Sequence, residues 1–133
     1  MYGFSTTLNG SFQLVVDKVT EALKGEGFGV LTEIDVQATL KAKLGIDKKP
    51  YKILGACNPT LAAQALEAEP DIGLLLPCNV VVQENKEGAI RVSFMDPEAV
   101  LSLVNRPDVE PLASEVRSRL QRVRDALGGE NDT

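Results

Sequence analysis

The sequence predicts an α+β fold: a single domain in which a mostly antiparallel sheet carries two long helices on one face, with short helices as connectors. Three observations carry this expectation. Apolar residues recur at helical spacing near both ends of the chain, at Phe12, Val16, Val19 and Leu23 and again at Leu112, Val116, Leu120, Val123 and Leu127. Each set makes the single stripe that an amphipathic helix buries. Between them lie segments of strand character, and the clearest is a hairpin. Val80-Val81-Val82 and the alternating Ile90, Val92 and Phe94 flank the connection Glu84-Asn85-Lys86-Glu87-Gly88.

In chain order, Tyr2 to Leu8 is rich in aromatic and β-branched residues and ends at Asn9-Gly10, as a first strand should. Ser11 is placed to cap the first long helix, which Gly25 and Gly27 close. Gly29 to Asp35 returns to strand character, and Val36 to Leu44 reads as a short helix stopping at Gly45. Tyr51 to Ala56 is the next strand. Asn58 then serves as a cap with Pro59 at the first helical position, where the missing N–H of proline costs nothing, and a short helix runs to Ala68. Leu74-Leu75-Leu76 and Val80-Val81-Val82 are continuous apolar runs. They predict a strand covered on both faces and bent at Pro77. Asp96-Pro97 repeats the cap-then-proline opening for a short helix through Val104, and the last helix runs from about Pro111. Its arginines, Arg117, Arg119, Arg122 and Arg124, read as a solvated basic face. Residues 1–128 are expected to form the domain and 129–133 a flexible C-terminal tail.

Composition narrows the function. A length of 133 residues suits one domain, and 44% hydrophobic with 25% charged residues is a globular balance. No apolar run approaches the ~18 residues of a membrane span, so no membrane partner is expected. The formal charge of -5 opposes a nucleic-acid backbone. The opening Met1-Tyr2-Gly3-Phe4 lacks the basic start and apolar core of a signal peptide, which predicts a cytoplasmic protein with its two cysteines as free thiols. The absence of histidine and tryptophan removes the near-neutral general base, the imidazole ligand and the indole platform. Two sulfurs alone leave a structural zinc site at least two ligands short, so no metal is expected. There is no glycine-rich phosphate loop or nucleophile elbow, and no cofactor can be assigned.

What remains is thiol and amide chemistry. Gly55-Ala56-Cys57-Asn58-Pro59 delivers a thiol from a strand to the start of a helix, and Cys78-Asn79 repeats the pair directly after Pro77. A helix N-terminus favours a thiolate, so the Cys57 pKa is expected to fall. If the pairs converge, Cys57, Asn58, Cys78 and Asn79 make a small neutral polar pocket. Glu33 and Asp35, alternate residues of one strand, would share a face near its rim. Three functions follow: a small-molecule binding or sensing module, a redox enzyme in which Cys57 attacks and Cys78 resolves, or a structural dimer serving protein interaction. The binding reading is preferred because no base of suitable pKa accompanies the thiols. Plain structural roles stand beside all three, since free cysteine is a small buried hydrophobe and asparagine a helix cap.

Three ordered motifs carry a resemblance: Gly29-Val30-Leu31-Thr32-Glu33-Ile34-Asp35-Val36, then Gly55-Ala56-Cys57-Asn58-Pro59, then Gly73-Leu74-Leu75-Leu76-Pro77-Cys78-Asn79-Val80. Together they resemble the family catalogued as domain of unknown function 302, over nearly the whole chain. The resemblance implies a compact prokaryotic protein with a curved sheet and a TATA-binding-protein-like α+β fold, a homodimer, and no established activity. The family pattern falls on Glu33, Asp35, Cys57, Asn58, Pro59, Pro77, Cys78 and Asn79. DNA binding does not follow from such a fold, because function belongs to the site and this chain is acidic.

Overall fold

Side-chain caps set where most helices begin. The Ser11 hydroxyl accepts from the Leu14 N–H at 3.2 Å and opens α1 (Phe12–Gly25). Asp35 does the same for α2 (Val36–Leu44) through the Ala38 N–H at 2.9 Å. Asn58 opens α3 (Pro59–Ala68), and Asp96 opens α4 (Pro97–Leu101), each followed by proline at the first helical position. The last helix, α5 (Glu110–Ala126), has no side-chain cap and relies on its buried stripe of Ala113, Val116, Leu120 and Val123.

The computed structural model describes residues 1–132. Among them six strands form one sheet: β1 (Gly3–Leu8), β2 (Gly29–Asp35), β3 (Tyr51–Cys57), β4 (Cys78–Glu84), β5 (Ile90–Met95) and β6 (Glu130–Asp132). The spatial order is β2-β3-β4-β5-β1-β6, and every neighbouring pair is antiparallel. The ladder between β2 and β3 shifts register between Val30 and Thr32, a bulge at Leu31. Helices α1 and α5 bury their stripes on one face of the sheet. Val19, Leu23, Leu120 and Val123 pack there against Leu54, Val80, Val82, Ile90, Val92 and Phe94. A second small core of Ala65, Ile72, Leu101, Val109 and Ala113 joins α3 and α4 to α5.

The α+β architecture agrees with the sequence, and the differences are local. Leu74 and Leu75 belong to a 3₁₀ segment, Pro70–Leu75, rather than to a strand. Pro70 presets its first turn, and the Glu69 carboxylate accepts from the Asp71 N–H at 3.1 Å. The strand therefore starts at Cys78. Its apolar run is fully buried at Val80 and Val82, whereas Val81 points to the other face and is only half-buried. On that open face the register aligns Ile34, Ile53, Val81, Ser93 and Ser5 in one row, and Tyr51, Gln83, Arg91 and Thr7 in the next.

The expected flexible tail is instead an edge strand as far as Asp132, and Thr133 lies outside the described residues. Gly128, at φ +72°, turns the chain out of α5. Gly129 then lies flat on β1: a Cβ there would stand 2.6 Å from Thr6 Oγ1 and 2.5 Å from the Thr7 carbonyl oxygen.

The arginines of α5 are a second correction. Arg117 and Arg124 bracket the Phe4 ring at 5.7 and 5.2 Å, and Phe4 stacks on Phe94 at 5.6 Å. Arg117 Nε also bonds the Asp96 carboxylate at 3.1 Å. Arg119 donates to the Glu26 carbonyl at 3.1 Å, and Arg122 to the Glu26 carboxylate at 2.9 Å. Long guanidinium stems reach across to α1 and β1, so this face fastens the helix layer instead of solvating it.

Thr6 faces the core opposite Val92, fully buried, and its hydroxyl has no hydrogen-bond partner among the described residues. Leaving a buried hydroxyl unpaired costs about 1–3 kcal/mol. Thr6→Val is therefore expected to raise stability by about 1 kcal/mol in urea unfolding, and a loss of stability would show that the hydroxyl is satisfied.

Candidate functional site

The two cysteine motifs meet because β3 and β4 are neighbours in a fixed register. Ala56 lies opposite Cys78 and Gly55 opposite Asn79. Glycine is required at 55: a Cβ there would stand 2.8 Å from Pro77 Cγ and would overlap the Thr32 hydroxyl. Pro77 closes over that gap, and its peptide with Leu76 is cis. Cys57 ends β3 and Cys78 begins β4.

Both cysteines line one half-open cavity of about 40 Å³. Asn58 and Pro77 stand with them, and the rest of the wall is hydrocarbon: Phe28 beside β2, Leu61 and Ala62 of α3, Leu101 of α4, and Leu112 and Val116 of α5. The expected convergence of Cys57, Asn58 and Cys78 is therefore present. The expected polar character is not. Burial pushes the Cys78 thiol from 9.0 up to about 12, with further push from nearby Cys57. Cys57 is raised as well, by desolvation, where a fall was expected. The N-terminus of α3 does not serve that thiol, because Asn58 Oδ1 takes the Leu61 N–H at 3.1 Å.

Three expected members stand elsewhere. Asn79 alternates to the outer face of β4 and is exposed, so the second asparagine does not share the cavity. Glu33 lies opposite Leu54, exposed and paired with Lys52 at 2.7 Å. Asp35 lies opposite Lys52 and caps α2. At ~3.3 Å per residue these levels are about 10 and 17 Å along β3 from Cys57, too far to form its rim. Alternation put both carboxylates on one face of β2, but the strand carries them past the cavity. Conversely, Phe28, Leu61, Leu112 and Val116 came from separate elements whose apolar residues look like ordinary core in the sequence. Among the described residues no group of three or more His, Cys, Asp or Glu could hold a metal ion.

Larger hollows lie away from the thiols. One of about 280 Å³ runs between α4 and α5, where Ser114 bonds Glu98 at 2.8 Å and Arg106 is held by Asp108 at 3.0 Å. Another, of about 340 Å³, lies on the open sheet face beside Tyr2, Tyr51 and Gln83. Among the described helices none is long and apolar enough to cross a membrane.

The molecule is thus an α+β protein whose antiparallel sheet brings two free thiols to one apolar cavity. Residues 4–127 match the family described as "Domain of unknown function DUF302", and the chain belongs to that family. A crystal structure of an uncharacterized conserved protein DUF302 from Bacillus stearothermophilus is similar at 30% identity and a TM-score of 0.88. The match covers 96% of this chain and 98% of that one. No curated protein matches.

The raised Cys78 pKa makes stability depend on alkaline pH. The unfolded thiol ionises near 9.0 while the folded one keeps its proton to about 12, so the contribution is whole below 9.0 and is lost as pH rises through this window. The stability difference between wild type and Cys78→Ala is expected to narrow by up to about 1.4 kcal/mol per pH unit above 9 in urea titrations, and a constant difference would refute the shift. The two asparagines separate as well. Asn58→Ala is expected to cost about 1 kcal/mol as a lost cap, and Asn79→Ala less than about 0.5 kcal/mol as a surface change.

Proposed function

We propose that this protein is a small-molecule binding module whose site is the cavity between Cys57 and Cys78, and that it receives a small apolar group of its ligand. The observation that supports this reading is the convergence itself. Two motifs distant in sequence place Cys57, Asn58, Pro77 and Cys78 on one half-open cavity that the helix layer does not fill. A volume of about 40 Å³ exceeds the ~10–15 Å³ that one water needs, but it suits the end of a ligand rather than a whole one.

Burying such a group removes apolar surface from water at ~25 cal/mol per Å². The two protonated thiols add soft, polarizable contacts without fixed charge, and this favours neutral ligands. Asn58 supplies the polar neighbour at the wall, with its carbonyl oxygen already engaged by the helix. The redox alternative draws no comparable support, since thiols held above their ordinary range are poor nucleophiles at neutral pH.

Ala62 of α3 lines the cavity and is half-buried, so a larger side chain there fills the site without opening the core. Benzene, indole and short alkyl alcohols serve as thermal-shift probes. A ligand at a hundred times its Kd stabilises by about 2.7 kcal/mol, and wild type is expected to show this gain with at least one probe while Ala62→Leu shows none. Equal gains in the two proteins would place binding elsewhere.

A further inference from the structure

We propose that the side-chain amide of Asn58 is the polar anchor of the thiol cavity, and that it selects ligands carrying a neutral hydrogen-bond acceptor, a carbonyl oxygen above all, beside their apolar group. The inference rests on the cavity as the binding site and adds which atom reads the ligand. Asn58 is 8% exposed and lines the cavity together with both cysteines. Its two polar atoms differ in state. Oδ1 accepts from the Leu61 N–H at 3.1 Å, and this bond fixes which end of the amide is oxygen, because a nitrogen there would meet another donor. Nδ2 is the opposite end, and it donates to no group among the described residues.

The surroundings of that nitrogen explain why it stays unpaired. A Cβ at Gly27 would stand 2.9 Å from Nδ2 and 3.3 Å from Arg119 Nη1, so the amide packs between a glycine and a second donor. The Glu26 carbonyl beside that glycine already takes the Arg119 N–H at 3.1 Å. Nor is the nitrogen sealed off. Among the described residues the Thr6 hydroxyl is the one side-chain polar atom both fully occluded and unpaired, so Nδ2 keeps open surface. A mostly buried amide donor without a partner costs free energy that a suitable ligand recovers. The chemistry of the wall narrows the class. Its other polar side chains are two thiols held protonated, which are weak donors, and the Asn58 oxygen is engaged by the helix. A ligand oxygen therefore finds a donor here, whereas a ligand N–H finds no strong side-chain acceptor and leaves the amide unpaired as well.

Acetophenone and its hydrocarbon isostere α-methylstyrene differ only in C=O against C=CH2 and serve as paired probes. Asn58→Asp and Asn58→Ser each keep an oxygen to cap α3 while removing Nδ2, so the donor is separated from the cap. In calorimetric titrations of the full chain, wild type is expected to bind both probes. The ratio of the two affinities is expected to shift about tenfold toward the hydrocarbon in both variants, which a purely structural cap would not produce. In wild type the Asn58 side-chain NH2 proton resonance is expected to move further downfield with acetophenone than with α-methylstyrene. An unchanged affinity ratio in either variant, with binding still abolished by Ala62→Leu, would overturn the anchor and leave the cavity standing. Failure of both probes to bind wild type would overturn the cavity reading, and the anchor with it.

Discussion

The register between β3 and β4 is the constraint on which the site depends. Gly55 is the residue that allows it, since Pro77 and Thr32 occupy the space a side chain would need. With that contact made, Ala56 must face Cys78, and Cys57 must end its strand where β4 begins. The next residues have no freedom either: Asn58 caps and Pro59 starts α3, whose Leu61 and Ala62 then form a wall of the same cavity. A slip of one residue would turn Cys78 to the outer face and Asn79 inward. The motif is therefore a packing instruction before it is a chemical one.

Burial, more than the helix dipole, sets the chemistry of the thiols. A dipole stabilises charge by ~0.3–1 kcal/mol at exposed sites, whereas moving a thiolate out of water can raise its pKa by several units. At Cys57 the dipole is further blunted because Asn58 already occupies the Leu61 N–H. The same competition explains the arginines of α5. A basic helix end looks solvated when read alone, but Phe4, Asp96 and Glu26 lie within reach once the layers pack. Cation-π contact and charge-assisted bonds then hold the side chains down.

What the sequence made legible was local. Caps at Ser11, Asn58 and Asp96, and the stripes of the two long helices, depend on neighbours within a few residues, and each is where its pattern predicts. Cys57 and Cys78 could be singled out because their surroundings repeat. The polarity of their pocket could not, because Phe28, Leu112 and Val116 reach it through tertiary packing that leaves no periodic trace. Asn79 was misplaced for a simpler reason: adjacent residues of a strand face opposite ways. The C-terminal residues read as a tail because Gly128-Gly129 is a common ending, and only the close approach to β1 reveals the second glycine as a contact.

The bulge at Leu31 bears on how this protein stays apart from unwanted neighbours. β6 shields one margin of the sheet, leaving β2 as the long unpaired margin at the other. An unguarded margin of that kind invites strand addition from any passing chain. The irregular step between Val30 and Thr32 breaks the even run of free amide and carbonyl groups, and Glu33 and Asp35 put charge beside the remainder. The acidic motif that resembled part of a site lies instead along this margin, where charged side chains discourage strand addition.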